Sequence, residues 1–562
     1  HQHVAVSIET FYSNPVLHAE ELLYHWHEAG DASREVKYLI MAAERAVKVT
    51  ALFDLALDLL RRALEILETK PDDPRRGNVF NLMGRTYFFL GQTDEARAYL
   101  KKALELGYPE IEAAARIALA EVEIRASHLD RANSNARLGL AYFRKTDNKS
   151  GVADALQIMA QTALETGAYA KAGIYLIEAL VLRTATNDQQ GLGMCHNLLG
   201  TVNLHQGMYE EARLHYDASL RIRRALGDIR GMSSTFNDLA LLAQGMADYE
   251  AAWRYQEQSL ALRRRIHDRH GIEVSLGNLS HLAQLRGDLD LTEQLCEEAL
   301  LLQREIGDKR GMGKAFADLA VVAMNKNQDK LAQSYFEQSQ NIKLEIADRP
   351  GEAIYCLNYG VYQLVHGETC AAAALFAQAQ QIARELGEPY LEGCALFHAG
   401  EAAEVDGCLD DALGLLLRAR TIFVTKKLPR EIANTQIALA RVWAAQSNFD
   451  AVFDPLHEAT AIVTQLNVPS AKLRLLMAAA YVDGCLGKIS AASSCLALIA
   501  KEKITERIDQ FYFDRIRAEI DPTFTGMRLQ PETGPSSTID AEIARIQADA
   551  ALTDNLRDRT AS

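Results

Sequence analysis

Residues 191–230 read GLGMCHNLLGTVNLHQGMYEEARLHYDASLRIRRALGDIR, and the pattern starts again at Gly231. Written in blocks of forty residues from Gly151, the chain keeps this register to residue 470 without a gap. Six successive blocks open on a glycine: Gly151, Gly191, Gly231, Gly271, Gly311 and Gly351. Self-similarity at a fixed period of this length is the signature of a repeat array rather than of unrelated globular domains.

Small residues recur at three fixed positions of each block, and Val452 is the one larger residue at these positions. In the quoted block they are Gly200, Ala212 and Ser219. Two helices approach closely only where side chains are small, so each block is predicted to be an antiparallel helix pair. Glycines between the first two positions suit the left-handed residue that ends a helix; they are Gly167, Gly207, Gly287, Gly367 and Gly407. Gly227, Gly307 and Gly387 are predicted to close second helices, with Asp228 and Asp308 capping the next first helices.

The sequence resembles the tetratricopeptide repeat through NLLG at 197–200 and YEEAR at 209–213. It departs from the usual repeat of about 34 residues and is similar to the longer repeats of Pins/LGN adaptors and kinesin light chains. The stretches HVAVSIETFY (3–12), HAEELLYHWHEAGD (18–31) and KYLIMAAERAV (37–47) resemble the entry into the repeats of bacterial STAND-type ATPase regulators. Such regulators carry LuxR-like, antibiotic-regulatory or nucleotide-cyclase heads.

The predicted fold is all-α, an α-solenoid (right-handed superhelix) of about 11–12 tetratricopeptide-like antiparallel helix pairs. The apolar face of one pair is covered only when the next pair stacks on it. We expect five parts: a lead-in from an upstream ATPase or winged-helix module (1–17), irregular helix pairs (18–150), the regular array (151–470), C-terminal capping helices (471–520) and a flexible tail (521–562). A short acidic helix at 539–556, without a visible partner, is expected in the tail.

The composition of the chain narrows the range of partners and locations that we expect. The formal net charge is −15 and the pI about 5.5, which opposes nucleic acid as a partner. The eight cysteines form no C-x-x-C pair, so we expect buried thiols in a reducing compartment. No stretch matches the roughly 18 apolar residues of a membrane helix, so no membrane partner and a cytoplasmic location are predicted.

No catalytic, cofactor-binding or metal site is predicted, and the chain is expected not to be an enzyme. Gly307–Ala315 superficially suggests a phosphate loop, but Ala315 replaces the magnesium-binding hydroxyl. His398, Glu401 and Glu404 lie on one helix and are interpreted as a solvated acidic stripe. Other clusters also have plain structural explanations: His25 and His27 diverge on a helix, and the arginines at 221–224 and 263–265 favour helix carboxyl ends.

By family resemblance, the first helix of each pair lines the concave surface, so ligands are expected on its inward face. The candidate residues are Asp154, Gln157, Gln161, Asn197, Thr201, Asn237, Gln244, His281, Gln284, Lys314, Leu357, Phe397 and Glu401. Amides can bind an extended peptide backbone, whereas the alternative is that they bond only to neighbouring repeats.

The leading hypothesis is a sensor and scaffold region of a multidomain signalling or transcription regulator. A protein, a peptide or a small-molecule inducer would bind the concave groove, and the ATPase and effector would lie upstream in the same chain. The alternative is a free-standing adaptor that tethers partner proteins by recognising extended peptides. An enzyme would need a composite site in the groove.

Overall fold

The computed structural model describes residues 1–11, 18–47, 52–126, 128–246, 248–520 and 538–548. In these ranges every regular element is a helix. The chain divides into two compact units, residues 1–275 (unit 1) and 276–562 (unit 2).

The helices of unit 1 are α1 (Gln2–Phe11), α2 (Ala19–Glu28), α3 (Ala32–Arg45), α4 (Phe53–Leu67), α5 (Arg75–Phe89), α6 (Thr93–Glu105), α7 (Pro109–Arg125), α8 (Leu129–Lys145), α9 (Lys149–Glu165), α10 (Tyr169–Ala185), α11 (Gln189–His205), α12 (Tyr209–Leu226), α13 (Ile229–Gly245) and α14 (Tyr249–Arg265). The boundary between the units falls within α15 (Arg269–Leu285).

Unit 2 continues with α16 (Leu289–Ile306), α17 (Lys309–Asn325), α18 (Asp329–Glu345), α19 (Arg349–Val365), α20 (Thr369–Leu386), α21 (Pro389–Val405), α22 (Leu409–Thr425), α23 (Pro429–Ala445), a 3-10 turn (Phe449–Ala451), α24 (Phe453–Leu466), α25 (Pro469–Cys485), α26 (Ile489–Ile499) and α27 (Arg507–Ile520). Residues 539–548 form a further short helix, α28.

Consecutive helices form five pairs from α5 to α14 in unit 1 and five from α17 to α26 in unit 2, so the predicted all-α solenoid of helix pairs is confirmed. The odd-numbered first helix of a pair is called the A helix and the even-numbered second helix the B helix. A helices of neighbouring pairs also contact one another within each unit, for example α19 and α21. Within each unit, the A helices therefore line one face.

The predicted helix ends are confirmed. The five glycines between the A and B helices all have positive φ angles, as do Gly227, Gly307 and Gly387 after B helices. Asp228 and Asp308 each accept a hydrogen bond from the backbone N–H three residues on, as capping residues do. Ala347 and Lys427 take the same left-handed conformation without glycine, which the sequence did not indicate.

The small positions are contact points between the two helices of a pair. A Cβ added to Gly200 would lie 2.6 Å from Cε1 of Tyr216, whose side chain is fully buried on the partner helix. At the third small position, serine also forms a hydrogen bond to the partner helix. Ser219 Oγ donates to the carbonyl of Gly193 at 2.8 Å. Ser339 makes the same bond to Gly313 at 2.7 Å.

Buried arginines link successive pairs. Arg223 donates to the carbonyl of Gly231 at 2.6 Å and to Thr235 Oγ1 at 2.7 Å, across to the next A helix. Arg263 repeats the arrangement with Gly271. The interpretation of these two arginines as ordinary helix-end cations is therefore incomplete, since both guanidinium groups are buried and hydrogen-bonded to the following repeat.

Two expectations need correction. The helix α28 has a partner after all: Arg545 pairs with Asp483 at 2.9 Å, and Ile543 and Ile546 are buried. The expected flexible segments at 521–537 and 549–562 lie outside the described residues. The thiols are all free, but Cys370, Cys408 and Cys485 are exposed rather than buried. These three residues lie on B-helix surfaces or at helix ends and not in the core.

We expect Gly200→Ala to destabilise the chain by about 1–3 kcal/mol, because the new methyl group would overpack the contact with Tyr216. The matched control is Gly414→Ala in α22, where an added Cβ meets no atom within 4 Å. That control should stabilise by about 0.5–1 kcal/mol, because it removes an exposed helical glycine. Denaturant unfolding followed by circular dichroism measures both, and equal effects would contradict the crossing geometry.

Candidate functional site

All thirteen candidate residues lie on A helices, seven of them in unit 1 and six in unit 2. Their exposure differs. The exposed or half-buried ones are Asp154, Gln161, Thr201, Asn237, Gln244, His281, Gln284 and Lys314. The buried ones are Gln157, Asn197, Leu357, Phe397 and Glu401. The two units are therefore considered separately.

In unit 1, Asn197 is committed to a hydrogen-bond network between repeats. Its Oδ1 accepts from Arg223 at 3.1 Å and from Thr235 at 2.9 Å, and its Nδ2 donates to Asp238 at 2.5 Å. Burial raises the pKa of Asp238 against these hydrogen bonds. For Asn197 the geometry favours the alternative interpretation, in which the amide joins neighbouring repeats rather than a peptide.

A small polar cavity of about 80 Å³ opens between α5, α7 and α9. Its polar lining comprises Asn81, Arg85, Glu121, Asp154 and Gln157. The carbonyl oxygens of Asn81 and Gln157 are buried without a hydrogen-bond partner in the described chain, and burial raises the pKa of Glu121. Only two of these residues were candidates, because the others lie upstream of the strict forty-residue register.

In unit 1, one arginine lies between two aromatic rings from a distant part of the chain. The guanidinium of Arg230, at the start of α13, lies 4.8 Å from the ring centroids of both Phe53 and Phe89. These rings belong to the regions of α4 and α5, far earlier in the chain. A cation held between two aromatic faces is a stable contact, so Arg230 links the start of α13 to these two earlier regions of unit 1.

In unit 2, the interpretation of Glu401 and Glu404 as a solvated acidic stripe is wrong. Both residues are only 7% exposed. Glu404 binds Arg441 of α23 through two bonds of 2.9 and 2.8 Å, and Glu401 lies 3.0 Å from His398 Nδ1. The sequence did not reveal this because the cationic partner lies in the next repeat.

The helix α27 covers this charged surface. Arg474 of α25 pairs with Asp509 at 2.6 Å and with Glu506 at 2.7 Å. The ring of Tyr512 lies under the guanidinium of Arg441, 4.3 Å from the ring centroid. Burial raises the pKa of Asp509 to about 7, opposed by the charge of Arg474. The helix is thus held by charge-assisted bonds on a largely desolvated face.

The segment reaches well beyond these contacts. Thr505 packs beside Gly287 at the end of α15, and the backbone N–H of Arg507 donates to Asn325 at 3.0 Å. The side chain of Arg507 also pairs with Asp329. At the other end, Ile520 packs beside Gly484 of α25. Residues 505–520 therefore cross the face formed by the A helices of unit 2, from α15 to α25.

The predicted positions Phe397 and Glu401 lie in this region. Both line a pocket shared with Asp509 and Tyr512 of α27, so the chain itself covers them. The sequence did not predict that α27 occupies this face, because α27 follows the end of the periodic pattern.

In the described part of the chain, no group of three His, Cys, Asp or Glu side chains is arranged to hold a metal ion. None of the described helices is long and apolar enough to cross a membrane.

The stacked antiparallel pairs, with A helices along one face, define a helical-repeat protein of the kind that binds along an extended surface. Tetratricopeptide repeat family models match residues 51–107 and 233–271. The chain therefore contains tetratricopeptide repeats, and these repeats support a protein-interaction scaffold. A search of curated proteins gave no match.

Several solved structures are similar to this chain. One is a Rap protein complexed with Competence and Sporulation Factor, with 12% identity, coverage of 68% of this chain and 99% of that chain, and a TM-score of 0.45. The apo quorum sensor NprR from B. thuringiensis has 12% identity, coverage of 61% and 96%, and a TM-score of 0.46. A STAND protein with a tetratricopeptide repeat sensor from Pyrococcus horikoshii has 15% identity, coverage of 62% and 56%, and a TM-score of 0.41.

Glu404→Ala is expected to lower the free energy of unfolding by about 3–5 kcal/mol, because it leaves the buried Arg441 without its carboxylate. Glu392→Ala serves as the control, since Glu392 pairs with the more exposed Arg384 at 2.7 Å. Glu392→Ala should lower the free energy of unfolding by much less, because its ion pair is more exposed to solvent. Denaturant titration measures both changes, and a small effect of Glu404→Ala would restore the solvated-stripe interpretation.

Proposed function

We propose that this scaffold is the sensor or regulatory region of a multidomain signal-transduction or transcription-regulatory ATPase. A protein or peptide segment would bind the A-helix face of unit 2. The observation that carries the proposal is the seating of α27 on that face, through Arg474 and Arg441. A surface that holds one helical segment of the chain has the groups needed to hold a segment of a partner.

The chemistry of α27 indicates what such a partner would offer. It presents a carboxylate to Arg474, an aromatic ring to Arg441 and a cation to Asp329. An amphipathic helix with these three groups at similar spacing would compete with α27. Displacement would shift the population between a self-occupied and a partner-bound scaffold, and the differential affinity for the two states would set the size of the shift.

The link to an ATPase is supported by the resemblance of residues 3–47 to the entry into STAND-type repeats. On this proposal residues 1–17 lead in from an upstream module, residues 18–150 and 151–470 form the array, and residues 471–520 cap it. The candidate positions Asp154, Gln161 and Thr201, which stay partly accessible, would extend the binding surface in unit 1. We place the protein in the cytoplasm and propose that its own chemistry is binding rather than catalysis.

The second candidate function is a free-standing adaptor that tethers partner proteins by extended-peptide recognition. It is favoured by the LGN-like repeat length alone. Both functions use the same scaffold, so the coding sequence upstream of His1 discriminates between them. A nucleotide-binding domain encoded directly upstream supports the regulator, and its absence supports the adaptor.

The binding surface is tested with a fluorescent peptide of residues 501–520 (KEKITERIDQFYFDRIRAEI) added to the full chain. In the wild type, α27 occupies the site, which lowers the apparent affinity by the fraction of occupied chains. Asp509→Ala in the chain removes the contact with Arg474 and is expected to tighten peptide binding by about tenfold, read by fluorescence anisotropy.

Asp514→Ala is the matched control, because it removes a carboxylate from the exposed side of the same helix. It should leave the affinity unchanged. Adding Arg474→Ala to Asp509→Ala should abolish the gain. The binding proposal fails if the peptide binds all these chains equally or binds none of them.

A further inference from the structure

A cavity of about 330 Å³ lies between α18, α19 and α20 in unit 2. Three aromatic rings form its walls: Phe336, Tyr355 and Tyr359. Tyr355 and Tyr359 are stacked with centroids 5.5 Å apart, and Phe336 meets both rings edge-on. The volume is at the lower end of the range of about 300–1,000 Å³ typical of small-molecule sites.

One cation that lines this cavity interacts with the protein only at longer range. Lys343 is 5% exposed, and in the described chain it makes no hydrogen bond or ion pair. Its Nζ lies 5.8 Å from the centroid of Tyr355. Buried charges are normally paired, because an isolated buried charge is costly.

The other repeats show how the same position is usually satisfied. Steps of forty residues place Arg183, Arg223 and Arg263 where Lys343 stands, whereas Gln303, Ala383 and Phe423 occupy the position in other repeats. Arg183 pairs with Asp188 at 2.5 Å, whereas Arg223 and Arg263 bond to carbonyls of the next A helix at 2.6 Å. Lysine has a single donor group on a flexible stem and lacks the guanidinium fork. The repeat therefore leaves an amine available to a ligand here.

Two carboxylates complete the lining. Glu337 is exposed on α18, and Glu352 on α19 accepts from Gln378 at 3.1 Å and pairs through its other oxygen with Arg349 at 2.7 Å. Tyr355 donates its hydroxyl to Gln340 at 3.2 Å. The cavity thus offers a buried cation, an aromatic wall and acceptors nearer to solvent, so a matching ligand needs an anion, a ring and a cationic or donor group.

We propose that this cavity binds a small aromatic zwitterion, with an aromatic amino acid as the chemical class. The ligand carboxylate pairs with Lys343, its ring packs against Phe336 and Tyr355, and its ammonium faces Glu337 and Glu352. The cavity is lined by residues other than those that hold α27. The inference rests on the proposed function only for its regulatory meaning, as a place for the small-molecule inducer.

Proton linkage gives an independent readout. Burial lowers the pKa of Lys343 to about 8, opposed by the charges of Asp318 and Asp348. The titratable groups facing it from the packed helices are Asp318, Glu337, Asp348, Glu352 and Cys356. Because the amine is charged below its pKa, binding of a carboxylate weakens as the pH rises through about 8 and stays strong below it.

Isothermal titration of the full chain with three indole probes tests the proposal. L-tryptophan should bind saturably, indole-3-acetate more weakly because it lacks the ammonium, and tryptamine at least tenfold more weakly than tryptophan because it lacks the carboxylate. Indole-3-acetate has no amine, so its affinity isolates the titration of Lys343 and should fall above pH 8. No saturable binding, or tryptamine binding as tightly as tryptophan, would overturn the proposal.

Two variants localise the site. Lys343→Met removes the cation and should weaken tryptophan binding at least tenfold. Lys343→Arg introduces the residue that stands at positions 183, 223 and 263, and it should also abolish binding while keeping the thermal unfolding temperature, which excludes loss of folding as the cause. Lys330→Met, on the exposed side of α18, is the control and should bind normally. Unchanged affinity in both Lys343 variants would contradict the assignment.

Discussion

Each helix pair in this protein is incomplete by itself, and its stability depends on contacts with the next pair. Close approach at small residues brings the two helices of a pair together, as at Gly200 and Tyr216. Buried polar groups then join one pair to its successor, as Arg223 does with Gly231 and Thr235. In repeat proteins stability is approximately a sum of repeat and interface contributions, so these interface bonds control how the array responds to a bound segment.

The periodic sequence predicted the features that recur in every repeat. Helix pairing, the glycines with positive φ and the capping aspartates Asp228 and Asp308 all follow from local rules that act within about forty residues. Left-handed Ala347 and Lys427 escaped prediction because the register imposes that conformation without a favourable side chain. The strict period explains both outcomes, since tertiary stacking overrides local preference where the two disagree.

The candidate site was predictable only in part. All thirteen candidate positions lie on A helices, but the environment of each position depends on other repeats. Glu404 is buried because Arg441, one repeat later, pairs with it. The side-chain amide of Asn197 is hydrogen-bonded to Arg223, Thr235 and Asp238, which also lie outside its own helix. Lys343 stands out only against the arginines at equivalent positions, and α27 lies beyond the period, so neither carried a local sequence signal for its role.

In unit 2, the ion pair between Arg474 and Asp509 holds α27 on the A-helix face. Hydrogen–deuterium exchange of the full chain measures this directly through the amides of residues 507–520. We expect α27 to be protected in the wild type, to lose protection in Asp509→Arg and in Arg474→Asp, and to regain it when both reversals are combined. Fast exchange of α27 in the wild type, or protection unaffected by either reversal, would contradict this role of the ion pair.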